Sequence, residues 1–392
     1  SYLGTSNALK AIRAFHPDLI RLRHQLHENP ELGFEEIKTA ELVARELANY
    51  GVDEIHRGLG KTGVVGVIRG TADAPVKRSV GLRADMDALP MQEANDFAHR
   101  SKTPTTMLLG AARYLAAHRD FAGTVNLIFQ PGEEGHAGAR AMIEDGLFER
   151  FDCDAVFAMH NWPGLQAGQI AVRPGPVMAA ADRVSIHITG VGGHGAHPYM
   201  TVDPVVVAAH IITAVQSIVA RNINPLESAV VSLCAMQAGD LGAMSVIPGQ
   251  AKLVGTVRTF NREIQNRVED RLSNLVQSIA AGFGAKASVE YERLYPATVN
   301  TAAESAFAAR IATELVGADN MLAQLPPSMG AEDFSFMLEQ RPGAYLRIGQ
   351  GGAEGGCFLH NTSYDFNDDI MPLGASLFVR LAQDYLAEGA QP

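Results

Sequence analysis

The chain has 392 residues, and 32 Lys and Arg against 43 Asp and Glu leave a formal charge of −11. This acidic balance argues against nucleic acid and against a polybasic membrane surface, because both need clustered cations. Hydrophobic content of 47% with 19% charged residues belongs to a folded globular chain, and the length fits two domains better than one.

Ile37, Ala40, Val43, Ala44 and Leu47 recur at helical spacing over Glu35–Tyr50, and Gly51 supplies a stop. Gly63–Ile68 and Ser79–Leu82 read as strands, Thr105–Ala117 as a helix and Val125–Phe129 as a strand. Ala139–Glu144 follows as a short helix and Ala155–Met159 as another strand. Repeated strand–helix alternation with continuous apolar strands predicts an α/β domain with a mostly parallel sheet flanked by helices. Beyond Arg183 the pattern changes. Arg183–Thr189 alternates as a strand, Pro204–Arg221 is helical, and Ala229–Met236 and Gln250–Thr259 are strands. Glu263–Ala281 is a long amphipathic helix and Lys286–Arg293 a last strand. That βαββαβ order is ferredoxin-like. An inserted domain over 181–293 is therefore expected, inside a first domain made of 1–180 and 294–392. The first domain resumes with the helix Ala302–Leu315, a helix after Glu332 and the strand Ala344–Ile348.

No run reaches the roughly 18–20 apolar residues of a membrane span; the longest, Val205–Val219, carries His210 and Gln216. Cys153, Cys234 and Cys357 are odd in number and far apart, so a reducing cytoplasm is expected in place of a disulfide framework. Ser1–His16 lacks the pattern of a signal peptide, and an opening at Ser1 in place of Met predicts a trimmed start.

Titratable residues collect just after the strands. Asp85 and Asp87 follow Leu82, Glu133 and Glu134 follow Phe129, His160 follows Met159, and His360 follows a glycine-rich loop beyond Ile348. In an open parallel sheet the carboxyl ends of the strands border the ligand crevice. Carboxylates and imidazoles delivered there suit Zn²⁺ or a similar divalent ion. Each piece also has an ordinary reading: the Glu pair as a helix N-terminal cap, the Asp pair as turn residues before Pro90, a lone His as structural. Their common placement is what the metal reading explains and the ordinary readings do not require. Adjacent carboxylates also permit a division of labour, one holding metal and the other handling the proton of a water. Gly58–Gly63 and Gly190–Gly195 both fit G-x-G-x-x-G, but the first precedes a strand and the second is followed by Ala196-His-Pro, not a helix. Both read as turns, which leaves a nucleotide-dependent redox enzyme without support. Neither G-x-S-x-G nor H-E-x-x-H occurs.

Read together, these motifs resemble the aminoacylase/carboxypeptidase family of zinc metallopeptidases, and within it the amidohydrolase branch of hippurate hydrolases and auxin–amino acid conjugate hydrolases. The resemblance runs from Leu22-Arg-His-Gln-Leu-His-Glu-Asn-Pro-Glu-Leu32 to the helix near Leu377. It takes in Arg83-Ala-Asp-Met-Asp-Ala-Leu-Pro90, Gln130-Pro-Gly-Glu-Glu134, Met159-His160 and Gly192-Gly-His-Gly195. Gly255-Thr-Val-Arg-Thr-Phe260, Gly330-Ala-Glu-Asp-Phe334 and His360-Asn361 complete it. It implies a zinc-exopeptidase-like catalytic domain with an inserted lid and dimerisation domain. It also implies hydrolysis of N-acyl amino acids by a metal-activated water and two divalent ions per subunit (Zn, Mn, Co or Ni). Under it Glu133 is the general base and acid, Glu134, His160 and His360 are metal ligands, and Asp87 orients the ligands. His194 is carried over as a stabiliser of the tetrahedral intermediate in the neighbouring subunit of a homodimer. Arg258 pairs with a substrate carboxylate, and Gly330 lies at the substrate.

One departure stands out. The branch carries Cys-Gly-His-Asp-x-His, with a bridging Cys and a His that ligate metal, immediately before the helix that here opens Thr105-Thr-Met-Leu-Leu-Gly110. In this sequence Ser101-Lys-Thr-Pro104 runs straight into Thr105. None of the three cysteines stands where it would substitute, and Ser245 replaces a usual Asn. Either a segment between Pro104 and Thr105 is missing from the sequence as read, or the protein lacks the loop. The intact motifs on both sides favour the first. The second makes the chain a metal-poor, catalytically silent relative that binds acylated small molecules.

Overall fold

The computed structural model describes residues 2–27, 32–86, 98–132, 138–350 and 370–391. Its backbone divides into two compact units, one of Ser1–Val177, Val299–Pro326 and Asp333–Pro392, the other of Met178–Thr298 and Pro327–Glu332.

The first unit opens with helices α1 (Tyr2–Ala14), α2 (His16–His27) and α3 (Leu32–Asn49). Strands β1 (Glu54–Leu59), β2 (Gly63–Arg69) and β3 (Ser79–Asp85) follow, then α4 (Ala98–Ala117), β4 (Thr124–Gln130), α5 (Gly138–Glu144) and α6 (Leu147–Arg150). β5 (Ala155–Trp162) and β6 (Ile170–Ala171) come next, and the chain leaves along β7 (Gly175–Met178). The second unit contains β8 (Ala180–Thr189), β9 (Gly193–His194), α7 (Pro204–Ser217), β10 (Ala229–Ala238), β11 (Val246–Ile247), β12 (Gln250–Thr259), α8 (Arg262–Gly282) and β13 (Lys286–Tyr295). The chain returns along β14 (Thr298–Asn300) to α9 (Ala302–Val316), β15 (Met321–Leu322), α10 (Phe334–Gln340), β16 (Gly343–Gly349) and α11 (Ile370–Gly389).

The first unit is built on an eight-stranded sheet in the order β1-β2-β4-β3-β5-β16-β6-β15. Its central strands β4, β3, β5 and β16 run parallel, with antiparallel pairs at β1–β2, β2–β4 and β16–β6. β2, β4 and β16 are buried almost along their whole length, as expected of strands covered on both faces. α4 and α11 pack on each other and on β3, burying Met107, Leu108, Ala111, Leu377, Phe378 and Leu381 in one core.

The second unit is the expected ferredoxin-like arrangement, an antiparallel sheet in the order β10-β12-β8-β13 with α7 and α8 packed against it. β12 alternates buried and less buried positions, because only one face meets the helices. Both helices start where local chemistry dictates: Asp203 accepts from Val205 N (2.9 Å) with Pro204 at the first helical position, and Asn261 accepts from Ile264 N (2.8 Å). α7 continues through a π turn at Ile218–Asn222. The resulting 19-residue stretch Pro204–Asn222 is, by length and composition, apolar enough to cross a membrane. Here Val207, Ala208, Ile211, Val215 and Ile218 pack into the unit's core.

Three boundaries differ from expectation in ways that matter. β3 runs on to Asp85 and β5 to Trp162, so Asp85 ends a strand and His160 lies within one instead of after it. α4 begins at Ala98, not at Thr105, and carries Pro104 in its interior. The Gly58–Gly63 glycines form the β1–β2 hairpin turn, with Gly60 and Lys61 both at positive φ (60° and 75°).

Candidate active site

In the first unit, β3 is flanked by β4 and β5, all parallel, so their carboxyl ends leave the sheet at one edge. Asp85 faces Gln130 in register, and His160 faces Arg347. His160 Nδ1 stands 2.7 Å from the carbonyl oxygen of Asn161. A carbonyl only accepts, so Nδ1 carries a proton, as it does in a metal-ligating imidazole held through Nδ1 by a backbone carbonyl. Asn161 is itself fixed, its Nδ2 donating to Gln350 Oε1 at 2.6 Å. Asp87, Glu133, Glu134 and His360 lie outside the described residues. Among the described residues no three His, Cys, Asp or Glu side chains form a metal cluster.

Beneath this edge lies a buried polar network whose members the sequence reading passed over. Arg83 is fully buried; its Nε donates to Gln130 Oε1 (2.7 Å) and its Nη2 to Asp333 Oδ1 (2.9 Å). Gln130 Nε2 donates to the other Asp333 oxygen at 2.6 Å, and Ala139 N to the same oxygen at 3.2 Å. Gln130 O accepts from Met86 N (2.8 Å), and Asp85 O from Thr105 Oγ1 (2.8 Å). One guanidinium and one carboxylate thus join the last residues of β3 and β4 to the start of α5 and α10. Removing either partner would leave an unpaired buried charge, at a cost of about 3–5 kcal/mol. The sequence signal for these residues is their position inside Arg83-Ala-Asp, Gln130-Pro-Gly and Glu332-Asp333, beside the acids.

Cys153 is buried just before β5, at the opposite end of that strand from His160, with Asn126 Nδ2 3.6 Å from its sulfur. Burial pushes its thiol up to about 12. It is a packing residue and does not replace the ligand cysteine; Cys234 is exposed on β10 of the second unit, and Cys357 lies outside the described residues.

In the second unit, His194 sits on β9, paired with Val246 of β11, and is exposed. Ala196 N donates to its Nδ1 (3.0 Å), so the neutral ring carries its proton on Nε2. That nitrogen is a hydrogen-bond donor, as an oxyanion stabiliser requires. Arg258 and Gly330 are brought together: Arg258 Nη1 donates to Met329 O at 3.3 Å, and Gly330 O accepts from Ala179 N at 3.0 Å. A Cβ at Gly330 would stand 3.2 Å from Ser328 Oγ and 3.3 Å from Met178 Cε, so the turn fits glycine closely.

The model of peptidase family M20/M25/M40 matches residues 81–384. The hippurate hydrolase of Campylobacter jejuni is 41% identical, over 97% of this chain and 100% of its own length. The N-acetylcysteine deacetylase of Bacillus subtilis is 37% identical, over 95% and 98%. Among solved structures, the Bacillus subtilis YXEP protein, a dinuclear metal binding peptidase from the M20 family, superposes with a TM-score of 0.78 at 33% identity, over 96% of this chain and 99% of that one. This chain belongs to peptidase family M20/M25/M40 and is an enzyme that acts on amide bonds.

Proposed function

We propose that this enzyme hydrolyses the amide bond of N-acyl amino acids of the hippurate type with the help of two divalent ions. The observation that carries the reading is the placement of Asp85 and His160 at the edge where β3, β4 and β5 end, with His160 Nδ1 held by the Asn161 carbonyl. Glu134, His160 and His360 would hold metal, and Asp87 would orient them. Held by these residues, a divalent ion (Zn, Mn, Co or Ni) would supply Lewis-acid chemistry to a water and to the scissile carbonyl. Glu133 takes the proton from the attacking water and returns it to the leaving nitrogen. His194 Nε2–H donates to the oxyanion that develops on the carbonyl. Arg258, beside the Gly330 turn, receives the carboxylate of the amino acid moiety.

The active form in this proposal is a homodimer joined through the second unit. Val191, Tyr199, Met200, Leu241, Met244 and Val246 expose large apolar side chains along 191–246 of that unit. Light scattering on the native protein should then give twice the mass of the denatured single chain, and a mass equal to one chain would contradict the dimer.

The reading is tested by Glu133→Gln, which should reduce hippurate turnover by at least about a hundredfold while bound metal, measured by mass spectrometry, stays at the wild-type ratio. Retained turnover removes Glu133 from this role.

A second reading, the silent metal-poor relative, draws on the direct joining of Pro104 to Thr105. Proline within a helix loses a backbone hydrogen bond and meets the preceding turn, at about 3 kcal/mol. In the sequence the two residues are joined directly, and α4 runs through the join.

A further inference from the structure

Resting on the assignment of Arg258 to the substrate carboxylate, we propose that Thr256 is the positioning residue that aims the Arg258 guanidinium. Both lie on β12, two residues apart, and so share a sheet face. It is the face turned away from α7 and α8, because the alternate residues Leu253 and Val257 are the ones buried in the helix-covered core.

The hydrogen bonds run in one direction only. Thr256 Oγ1 donates its single proton to the backbone oxygen of Asp182 on the neighbouring β8, at 3.0 Å. With that proton committed, the hydroxyl is left as an acceptor, and Arg258 Nε donates into it at 3.0 Å. Arg258 Nη1 is held separately by Met329 O at 3.3 Å. Two of the three guanidinium nitrogens are thus fixed at two points, which sets the plane of the fork. Among the described residues Nη2 has no hydrogen bond, so the edge it shares with Nη1 can meet a carboxylate.

The anchor of this relay is rigid. Asp182 is buried, and its carboxylate accepts from Gln265 Nε2 at 2.9 and 3.1 Å and from Tyr291 OH at 2.5 Å. Its backbone is fixed by pairing of β8 with β12 on one side and β13 on the other. A guanidinium tied only at Nη1 would swing about its long side chain and lose rotamer entropy on every binding event. Thr256 removes that freedom in advance. The consequence is selectivity for substrates that carry a free carboxylate, expressed in binding and not in the chemical step.

The test compares hippurate with hippuramide, which has the same scissile bond and no carboxylate. Thr256→Val keeps the shape and loses both hydrogen bonds; Thr256→Ser keeps both. Thr256→Val should raise KM for hippurate about tenfold with little change in kcat, and leave hippuramide within about twofold, the size expected for one lost bond to a charged group. Thr256→Ser should restore the wild-type KM. Calorimetric titration of hippurate into the same variants on a Glu133→Gln background reads the same ratio without turnover. An unchanged hippurate KM and Kd in Thr256→Val, or an equal loss for hippurate and hippuramide, overturns the positioning role. Arg258→Ala separates this from failure of the underlying reading: if that variant keeps the wild-type preference for hippurate over hippuramide, the assignment of Arg258 itself is wrong.

Discussion

His160 and His194 are placed by quite different means, yet each has its tautomer set by one backbone group. The Asn161 carbonyl puts the proton of His160 on Nδ1, and the Ala196 amide puts that of His194 on Nε2. Nδ1 of the first ring is thereby a donor, and Nε2–H of the second, in its neutral form, is a donor too. His194→Gln, which keeps a donor, should retain more turnover than His194→Leu, and kcat/KM measured on the two variants checks it; equal losses would contradict the donor role. The cysteines separate as sharply. With its thiol pushed up to about 12 and buried, Cys153 should resist a thiol reagent in the folded protein, whereas exposed Cys234 should be labelled, as peptide mapping after brief alkylation will read. Labelling of Cys153 at a rate like that of Cys234 would contradict its packing role.

Among the elements, the strands of the second unit show how a buried acid is tolerated. Burial raises the pKa of Asp182, and the hydrogen bond from Tyr291 acts against that rise. A folded-state pKa above the unfolded value means that Asp182 favours the fold at acid pH and that this contribution is lost as pH rises through the folded value. Tyr291→Phe removes a donor from the carboxylate, so its destabilisation should be about 1–3 kcal/mol at neutral pH and smaller at acid pH, as the carboxylate takes up a proton. Urea denaturation at both pH values checks the sign; a loss independent of pH would contradict it. The ferredoxin-like unit was legible in the sequence almost to the residue, because half-buried strands alternate and both helices have side-chain caps at Asp203 and Asn261. β3 and β5 extend beyond their apolar runs for a physical reason. Arg83 and His160 look like the end of an apolar run, but Arg83 is buried by its bonds to Gln130 and Asp333, and β5 keeps its pairing with β16 through Trp162. Polar residues satisfied inside a strand give no periodic signal. α4 departs from expectation for the opposite reason: Thr103-Pro104 has the chemistry of a helix start, yet the helix runs through it from Ala98. Peptide mapping across His99–Arg113 tests the join: a Cys- and His-containing segment between Pro104 and Thr105 would favour the active reading. A peptide with those two residues directly joined would favour the silent relative.

At the scale of the whole molecule, spacing along the chain marks the acids and imidazoles as candidates, of which Asp85 stands at the end of β3 and His160 near the end of β5 among the described residues, while the groups that hold those strand ends in place are visible only in the fold. Arg83 is the clearest case, since a buried arginine joining β3, β4 and α10 has no sequence signature apart from the motif around it. The family assignment rests on a match over residues 81–384 and on relatives aligned over nearly the full chain. The claim that needs the most direct test is metal-dependent hydrolysis of N-acyl amino acids. The purified protein should be stripped with a chelator, reloaded with Zn²⁺, Mn²⁺, Co²⁺ or Ni²⁺, and assayed for release of glycine from hippurate and of free amino acid from other N-acyl amino acids. Loss of activity on stripping, and its return with about two equivalents of one of these ions per chain, is the predicted result. Absence of amino acid release from every N-acyl amino acid at full metal loading would contradict it.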